Sequence, residues 1–219
     1  MNGALTSSVF HAWRTPLDFI ELVQEVNVIA LDPCTIASNP VGALRWFTPA
    51  EDGLKRDWWD ASHALLDDSR GLVYVNPPYG RELPRWVGKC REEAARGCEI
   101  LSLTPARTDT RWYREIIATA TAVDYYARRI TFEIDCAACA ALGDQRDASR
   151  WFKRDGATVF LCTNHGADHD DQAPAPMRTK PIAGAAFPSL VSYWGPNADR
   201  FAAVFGERGD LRDLRRRAA

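Results

Sequence analysis

Gly71-Leu72-Val73-Tyr74-Val75-Asn76-Pro77-Pro78-Tyr79-Gly80 is an apolar run that stops abruptly in Asn-Pro-Pro-Tyr. Leu72 to Val75 reads as a buried strand, and the two prolines that follow cannot continue a central ladder, since each lacks an N–H and fixes its own φ. The chain therefore leaves the sheet at Asn76 in a stiff turn, with an amide on one side and an aromatic ring on the other. That pairing suits a flat ring bearing an amino group: the Asn76 side-chain oxygen and the backbone carbonyls beside the prolines can accept its hydrogens, and Tyr79 offers a face for stacking. A turn of this kind at the C-terminal end of a strand is also where open α/β sheets bind ligands.

Reading outward, strands alternate with helices. Leu17 to Glu25 carries apolar residues at helical spacing and follows Trp13-Arg14-Thr15-Pro16; Val28 to Leu31 is a short buried strand ending at Asp32-Pro33-Cys34. Ala43 to Phe47 is a candidate strand, and Asp52-Gly53-Leu54 marks a turn. On the far side, Leu83 to Gly97 reads as a helix closed by Gly97, and Ile100 to Thr104 as a strand broken by Pro105. A helix capped by Thr108 or Asp109 runs to Ala120; strands are expected at 123–126 and 130–132, a final strand over Ser189 to Trp194, and a last helix over Ala198 to Phe205. This alternation predicts an α/β fold with a mainly parallel sheet and helices on both faces. Residues 135–185 lose the alternation and are expected to form a small irregular insertion, and 207–219 a basic tail, within one domain spanning 1–219.

The bulk properties set bounds. The chain has 219 residues, 46% hydrophobic and 26% charged, as in ordinary globular proteins with a substantial core. The N-terminus shows no secretory pattern and no apolar run is long enough to span a bilayer, so a cytoplasmic location is expected and the six cysteines are expected as thiols or metal ligands. A net charge of −2 excludes a blanket polycation; any nucleic acid contact has to come from local patches. The basic residues are nearly all Arg, with Lys only at Lys55, Lys89, Lys153 and Lys180. The G-x-G-x-x-G fingerprint of nicotinamide and flavin enzymes is absent.

Taken together, these motifs resemble the S-adenosylmethionine-dependent DNA N6-adenine methyltransferases, and most of all the compact Dam-type group of phages and prophages. The resemblance runs from Trp13 to about Gly195. It implies a Rossmann-like class I methyltransferase sheet of seven strands, mainly parallel and closed by one antiparallel strand near 189–194, with DNA and S-adenosylmethionine as partners and methyl transfer to N6 of adenine. Asn76, Pro77, Pro78 and Tyr79 match the catalytic motif. Trp13, Thr15 and Pro16 resemble the N-terminal segment that lies against the methionine part of the cofactor; Asp32, Pro33 and Cys34 the first cofactor motif; Asp52 and Leu54 the segment near the cofactor's adenine. Pro105 to Trp112 and Arg128 to Phe132 are similar to segments of the phage group, and Arg107, Arg111, Arg128 and Arg129 are the candidate DNA contacts.

The residues themselves indicate why the motif suits this reaction. An exocyclic amino nitrogen is a poor nucleophile because its lone pair is delocalised into the ring. Hydrogen bonds to the Asn76 side-chain oxygen and the Pro77 carbonyl favour a tetrahedral nitrogen and localise that pair. A base inside a duplex must first be flipped out, which costs a few kcal/mol. The same clamp serves RNA or the side-chain amide of a protein glutamine, and a catalytically silent DNA-binding module also stays open as an alternative. Separately, Cys136-x-x-Cys139 and, 22 residues on, Cys162-x-x-His165 have the spacing of two zinc knuckles, so a structural Zn²⁺ in the insertion is a candidate.

Overall fold

The computed structural model describes residues 14–63, 71–132, 148, 150–154, 157–172, 180–181 and 187–215. The first helix among the described residues is α1 (Leu17–Val26), whose first turn is anchored by the Phe19 and Ile20 amides donating to the Pro16 carbonyl. Its apolar spacing puts Phe19, Ile20, Val23 and Val26 on one buried face. Strand β1 (Ile29–Asp32) follows, fully buried; then come β2 (Arg45–Trp46), α2 (Trp58–His63) and β3 (Leu72–Val75), the strand that ends in Asn76. Helix α3 (Leu83–Ala95), strand β4 (Glu99–Pro105), helix α4 (Arg111–Thr119) and strand β5 (Ala122–Tyr126) complete the regular alternation.

Between β5 and the closing strand lie β6 (Arg150–Arg154), β7 (Ala157–Leu161), helix α5 (Thr163–Gln172) and β8 (Lys180–Pro181). The described residues close with β9 (Ser189–Trp194), α6 (Ala198–Phe205) and β10 (Gly209–Asp213). The main sheet has seven strands in the order β10-β5-β9-β4-β3-β1-β2. β2, β1, β3 and β4 pair in parallel; β9 runs antiparallel to both β4 and β5, and β10 antiparallel to β5. This is a mixed α/β architecture with a largely parallel centre, compatible with a Rossmann-like fold.

Strand alternation sorts the core into two layers. Leu72, Tyr74, Leu101, Leu103, Val191 and Tyr193 face α1 and α6. Val73, Val75, Ile100, Val123, Leu190 and Trp194 face the opposite layer, where Trp58, Trp86, Trp112 and Ile116 pack. Each large side chain so buried contributes about 1.5–3 kcal/mol, which fixes the register of the strands and with it the edge where the site forms.

Several sequence expectations need correction. Ile130 to Phe132 is not a strand: Ile130 and Phe132 enter the core from a segment outside any ladder. Helix α4 is capped by Thr110, whose Oγ1 accepts from the Tyr113 amide at 3.3 Å, rather than by Thr108 or Asp109. The candidate strand over 43–47 contracts to Arg45–Trp46. Residues 209–213 form an edge strand, so the sheet has two strands running against the rest instead of one, and the tail is partly sheet. Within 135–185 the described residues are regular rather than irregular: β7, β6 and β8 make a separate three-stranded sheet, and α5 follows β7 directly. Sequence periodicity misses this because the apolar runs there are short and broken by charge.

Candidate active site

β1 and β3 are neighbours in parallel, so Asp32 at the end of one and Asn76 just past the other share an edge. A cleft opens there, lined among others by Asp32, Cys34, Asp52, Leu54, Asn76 and Trp86. Thr15, Pro33, Pro77, Pro78 and Tyr79 also border it, so the sequence-predicted acceptor and cofactor residues that lie among the described ones converge, apart from Pro16. Pro16 acts one step back: its carbonyl starts α1 and thereby sets Thr15 beneath the cleft. Trp13 lies outside the described residues.

Asn76 is held from two sides. Its Nδ2 donates to Thr15 Oγ1 at 3.1 Å, and its Oδ1 accepts from the Tyr79 hydroxyl at 2.9 Å. Thr15 Oγ1 shares a 2.8 Å bond with the hydroxyl of Tyr74, which is fully buried in β3. Tyr79 also reaches the Leu103 carbonyl at 3.4 Å. Its ring stands edge-on against Phe132 and Phe187, with centroids 6.0 and 5.4 Å away and interplanar angles of 76° and 75°. The stacking face expected from sequence is thus turned into an aromatic berth, and the phenol caps the amide oxygen. Burial pushes both phenols, Tyr74 and Tyr79, well above their ordinary range, so each is a neutral hydroxyl.

The β1 end is a tight Asx turn in which the Cys34 amide donates to Asp32 Oδ1 at 3.1 Å. Burial pushes the Asp32 carboxyl up to about 7, against the hydrogen bonds from Cys34 and Thr35 that favour its charged form. Burial, reinforced by the adjacent Asp32 charge, also raises the Cys34 thiol far above its usual range. Cys34 is therefore a neutral thiol and no nucleophile at pH 7.

Asp52 adopts the left-handed conformation, φ 54°, and its ammonium partner Lys55, at 2.8 Å, holds its carboxyl below the usual range. The next residue has to be glycine: a Cβ on Gly53 would stand 1.9 Å from the Pro33 carbonyl oxygen. Trp58 Nε1 donates to the Gly53 carbonyl at 2.8 Å, and the Trp58 ring is stacked on Trp86. The Asp52–Leu54 loop is thereby fastened to the β1 turn from both sides. Glu51, its acidic neighbour, spends its carboxylate on the Thr48 amide and hydroxyl instead.

Arg107 follows β4, Arg111 opens α4, and Arg128 and Arg129 follow β5; all four are exposed. β4 and β5 both run antiparallel to β9, so these residues leave the sheet at the edge that carries Asn76. Among the metal candidates, Cys162 Sγ and His165 Nδ1 are 3.5 Å apart at the start of α5. Cys136 and Cys139 lie outside the described residues, and among the described residues no three His, Cys, Asp or Glu side chains cluster to hold a metal ion. No helix among the described residues is long and apolar enough to cross a membrane.

Three functional contributors escape the sequence reading. Tyr74 looks like strand filler, yet its position as the one polar-tipped side chain in Leu72-Val73-Tyr74-Val75 is a usable signal. Phe132 and Phe187 are far from Tyr79 in sequence, and only the packing shows that they form its berth.

A family model described as DNA N-6-adenine-methyltransferase (Dam) matches residues 3–162. No curated protein matches the chain, and no solved structure does either.

Proposed function

The chain belongs to the DNA N-6-adenine-methyltransferase (Dam) family, and from that premise we propose that it transfers a methyl group from S-adenosylmethionine to N6 of adenine in DNA on a class I methyltransferase sheet. The observation that carries this reading is the two-sided hold on Asn76 at the mouth of the cleft. The cleft suits the donor: Asp32 and Asp52 offer carboxyl groups for ammonium and hydroxyl groups, while Leu54 and Trp86 offer apolar surface. When bound, S-adenosylmethionine supplies an electrophilic methyl on a sulfonium.

Asn76 Oδ1 and the Pro77 carbonyl would accept hydrogen bonds from the two amino hydrogens of the flipped adenine and so turn the nitrogen lone pair out of conjugation. The methyl gained by nitrogen would be lost by the sulfonium, leaving a neutral thioether, and one amino proton would pass to solvent. Tyr79 leaves its berth between Phe132 and Phe187 and lies on the base, releasing Oδ1 as it goes. Arg107, Arg111, Arg128 and Arg129 meet phosphates around the extruded nucleotide. The compartment this requires is the one that holds DNA, the cytoplasm of a bacterium or a phage-infected cell.

Expression in a methylation-deficient host, followed by sequencing that reads methylated adenines, tests the proposal. N6-methyladenine is expected with the wild type and none with Asn76→Ala, whose donor affinity should stay within about three-fold. Labelling of RNA or of a glutamine amide with no labelling of DNA would sink the DNA reading, and failure to bind S-adenosylmethionine would sink the enzyme.

We also propose that Cys162 and His165 are metal ligands. The two atoms stand at a hydrogen-bond distance of 3.5 Å, which is also compatible with a tetrahedral zinc bonded at ~2.3 Å to sulfur and ~2.0 Å to nitrogen, with Cys136 and Cys139 completing the set. Protein purified without a His tag should contain about one zinc per chain, and Cys162→Ser should lose it. Less than roughly a quarter equivalent in the wild type refutes the site.

A further inference from the structure

Thr15 lies 61 positions before Asn76 in the chain, and Tyr74 lies in the strand that delivers Asn76, yet the three polar groups form one chain of hydrogen bonds. The resemblance assigns Thr15 to the cofactor, but its hydroxyl is spent elsewhere: it accepts from Asn76 Nδ2 at 3.1 Å and shares a 2.8 Å bond with Tyr74. We propose that Thr15, braced by Tyr74, is the positioning residue that fixes the side-chain amide of Asn76 with its oxygen toward the substrate. This rests on the proposed adenine methylation and deepens it.

An asparagine side chain has a soft terminal torsion that leaves its amide plane poorly defined unless both ends are held. Here the oxygen end is capped by Tyr79, the group that has to move when a base enters. When Tyr79 leaves, the bond from the nitrogen end to Thr15 stays in place and opposes turning of the amide plane. Thr15 is in turn stiff: it is β-branched, buried to 6% exposure, and sits directly before the Pro16 carbonyl that anchors α1. Tyr74 borders the floor of the cleft, but it is fully buried in β3 and packed in the core, so the brace rests on the core rather than on a loop. The amide oxygen is then presented in one orientation before and after Tyr79 moves, which is the condition for polarising an amino group without reorganisation.

The test is a pair of variants, Thr15→Val, which keeps the shape and removes the hydroxyl, and Thr15→Ser, which restores it. Thr15→Val should lower kcat for DNA about 30- to 100-fold, while the dissociation constant for S-adenosylmethionine stays within about three-fold; Thr15→Ser should recover kcat to within about five-fold of wild type. In ¹⁵N spectra, solvent exchange of the Asn76 side-chain NH2 should accelerate at least about ten-fold in Thr15→Val and return toward wild type in Thr15→Ser. A Thr15→Val loss that appears in donor binding with kcat intact would overturn the proposal, as would a Thr15→Ser variant no better than Thr15→Val. The exchange measurement needs no substrate. A wild type that methylates no adenine therefore refutes the proposed reaction, while the NH2 exchange still decides whether Thr15 holds the amide.

Discussion

The two edges of the sheet treat buried polar groups in opposite ways. At the N-terminal edge of β4, Glu99 is fully buried and saturated: Tyr193 donates to Oε1 at 2.5 Å, Asn27 to Oε2 at 2.9 Å, and Asn197 Nδ2 to both oxygens at 3.2 and 3.3 Å. These partners come from the end of α1, from β9 and from the start of α6, so one carboxylate ties together three elements that cover the same layer. At the C-terminal edge, Asp32 is nearly as withdrawn from water, but among the described residues it is held by a turn amide at 3.1 Å and by the Thr35 and Cys34 side chains, and burial wins, raising it to about 7. A saturated group fastens the fold, whereas an undersupplied one beside a cleft keeps capacity for a ligand.

The comparison breaks if the two acids respond alike to neutralisation. Glu99→Ala should cost the most, about 3–5 kcal/mol, because it strands a buried hydroxyl and two amides. Chemical denaturation measures it, and a loss under about 1 kcal/mol would show that the network is not a fastening at all. Asp32→Asn should do the reverse. Burial lifts the folded carboxyl from its ordinary 3.8 to about 7, so its contribution is whole below about pH 4 and is lost as pH rises through 7. The variant should therefore match wild type near pH 4 and be more stable by about 1–3 kcal/mol at pH 8, with donor binding weakened. Stability that falls on substitution at pH 8 would mean that Asp32 is fastened like Glu99.

A third acid sharpens the same contrast by slope. Asp124 on β5 is fully buried, among the described residues neither of its oxygens has a hydrogen-bond partner, and burial, with a smaller push from Asp210, raises it to about 6. Wild-type stability should decline as pH rises from about 4 through 6, and Asp124→Asn should flatten that decline by up to roughly 1.4 kcal/mol per pH unit. An unchanged slope in the variant would place the titration elsewhere.

How far sequence alone reaches follows the same physics. The Leu72–Tyr79 stretch is legible because a buried strand and two prolines leave the backbone few choices, and the cleft residues Asp32 and Asp52 are legible because turn chemistry is local. What is hidden is non-local. The Phe132 and Phe187 berth for Tyr79, and the route from Thr15 through Tyr74 to Asn76, exist only once the sheet order is set. The edge strand Gly209–Asp213 hides for a different reason: its side chains are exposed or half-buried and three of its five are charged, so its apolar alternation is too weak to read.

The smallest effects come from a matched pair inside one layer. Tyr74 and Tyr193 each lie opposite Leu101 on neighbouring strands, both fully buried, and their hydroxyls diverge toward opposite edges. Tyr193 donates to Glu99 and accepts from the Asn197 amide at 2.9 Å, whereas Tyr74 meets Thr15. Removing either hydroxyl deletes one buried group and leaves a partner short, so Tyr193→Phe and Tyr74→Phe should each cost about 1–2 kcal/mol in thermal or denaturant unfolding. Equal stability costs make turnover the discriminating readout. Tyr74→Phe should lower kcat by about three- to ten-fold through a looser Thr15, and Tyr193→Phe should leave kcat within about two-fold below its melting range. If Tyr193→Phe slowed turnover as much as Tyr74→Phe, the two edges would be coupled through Leu101 and the division between fastening edge and working edge would fail.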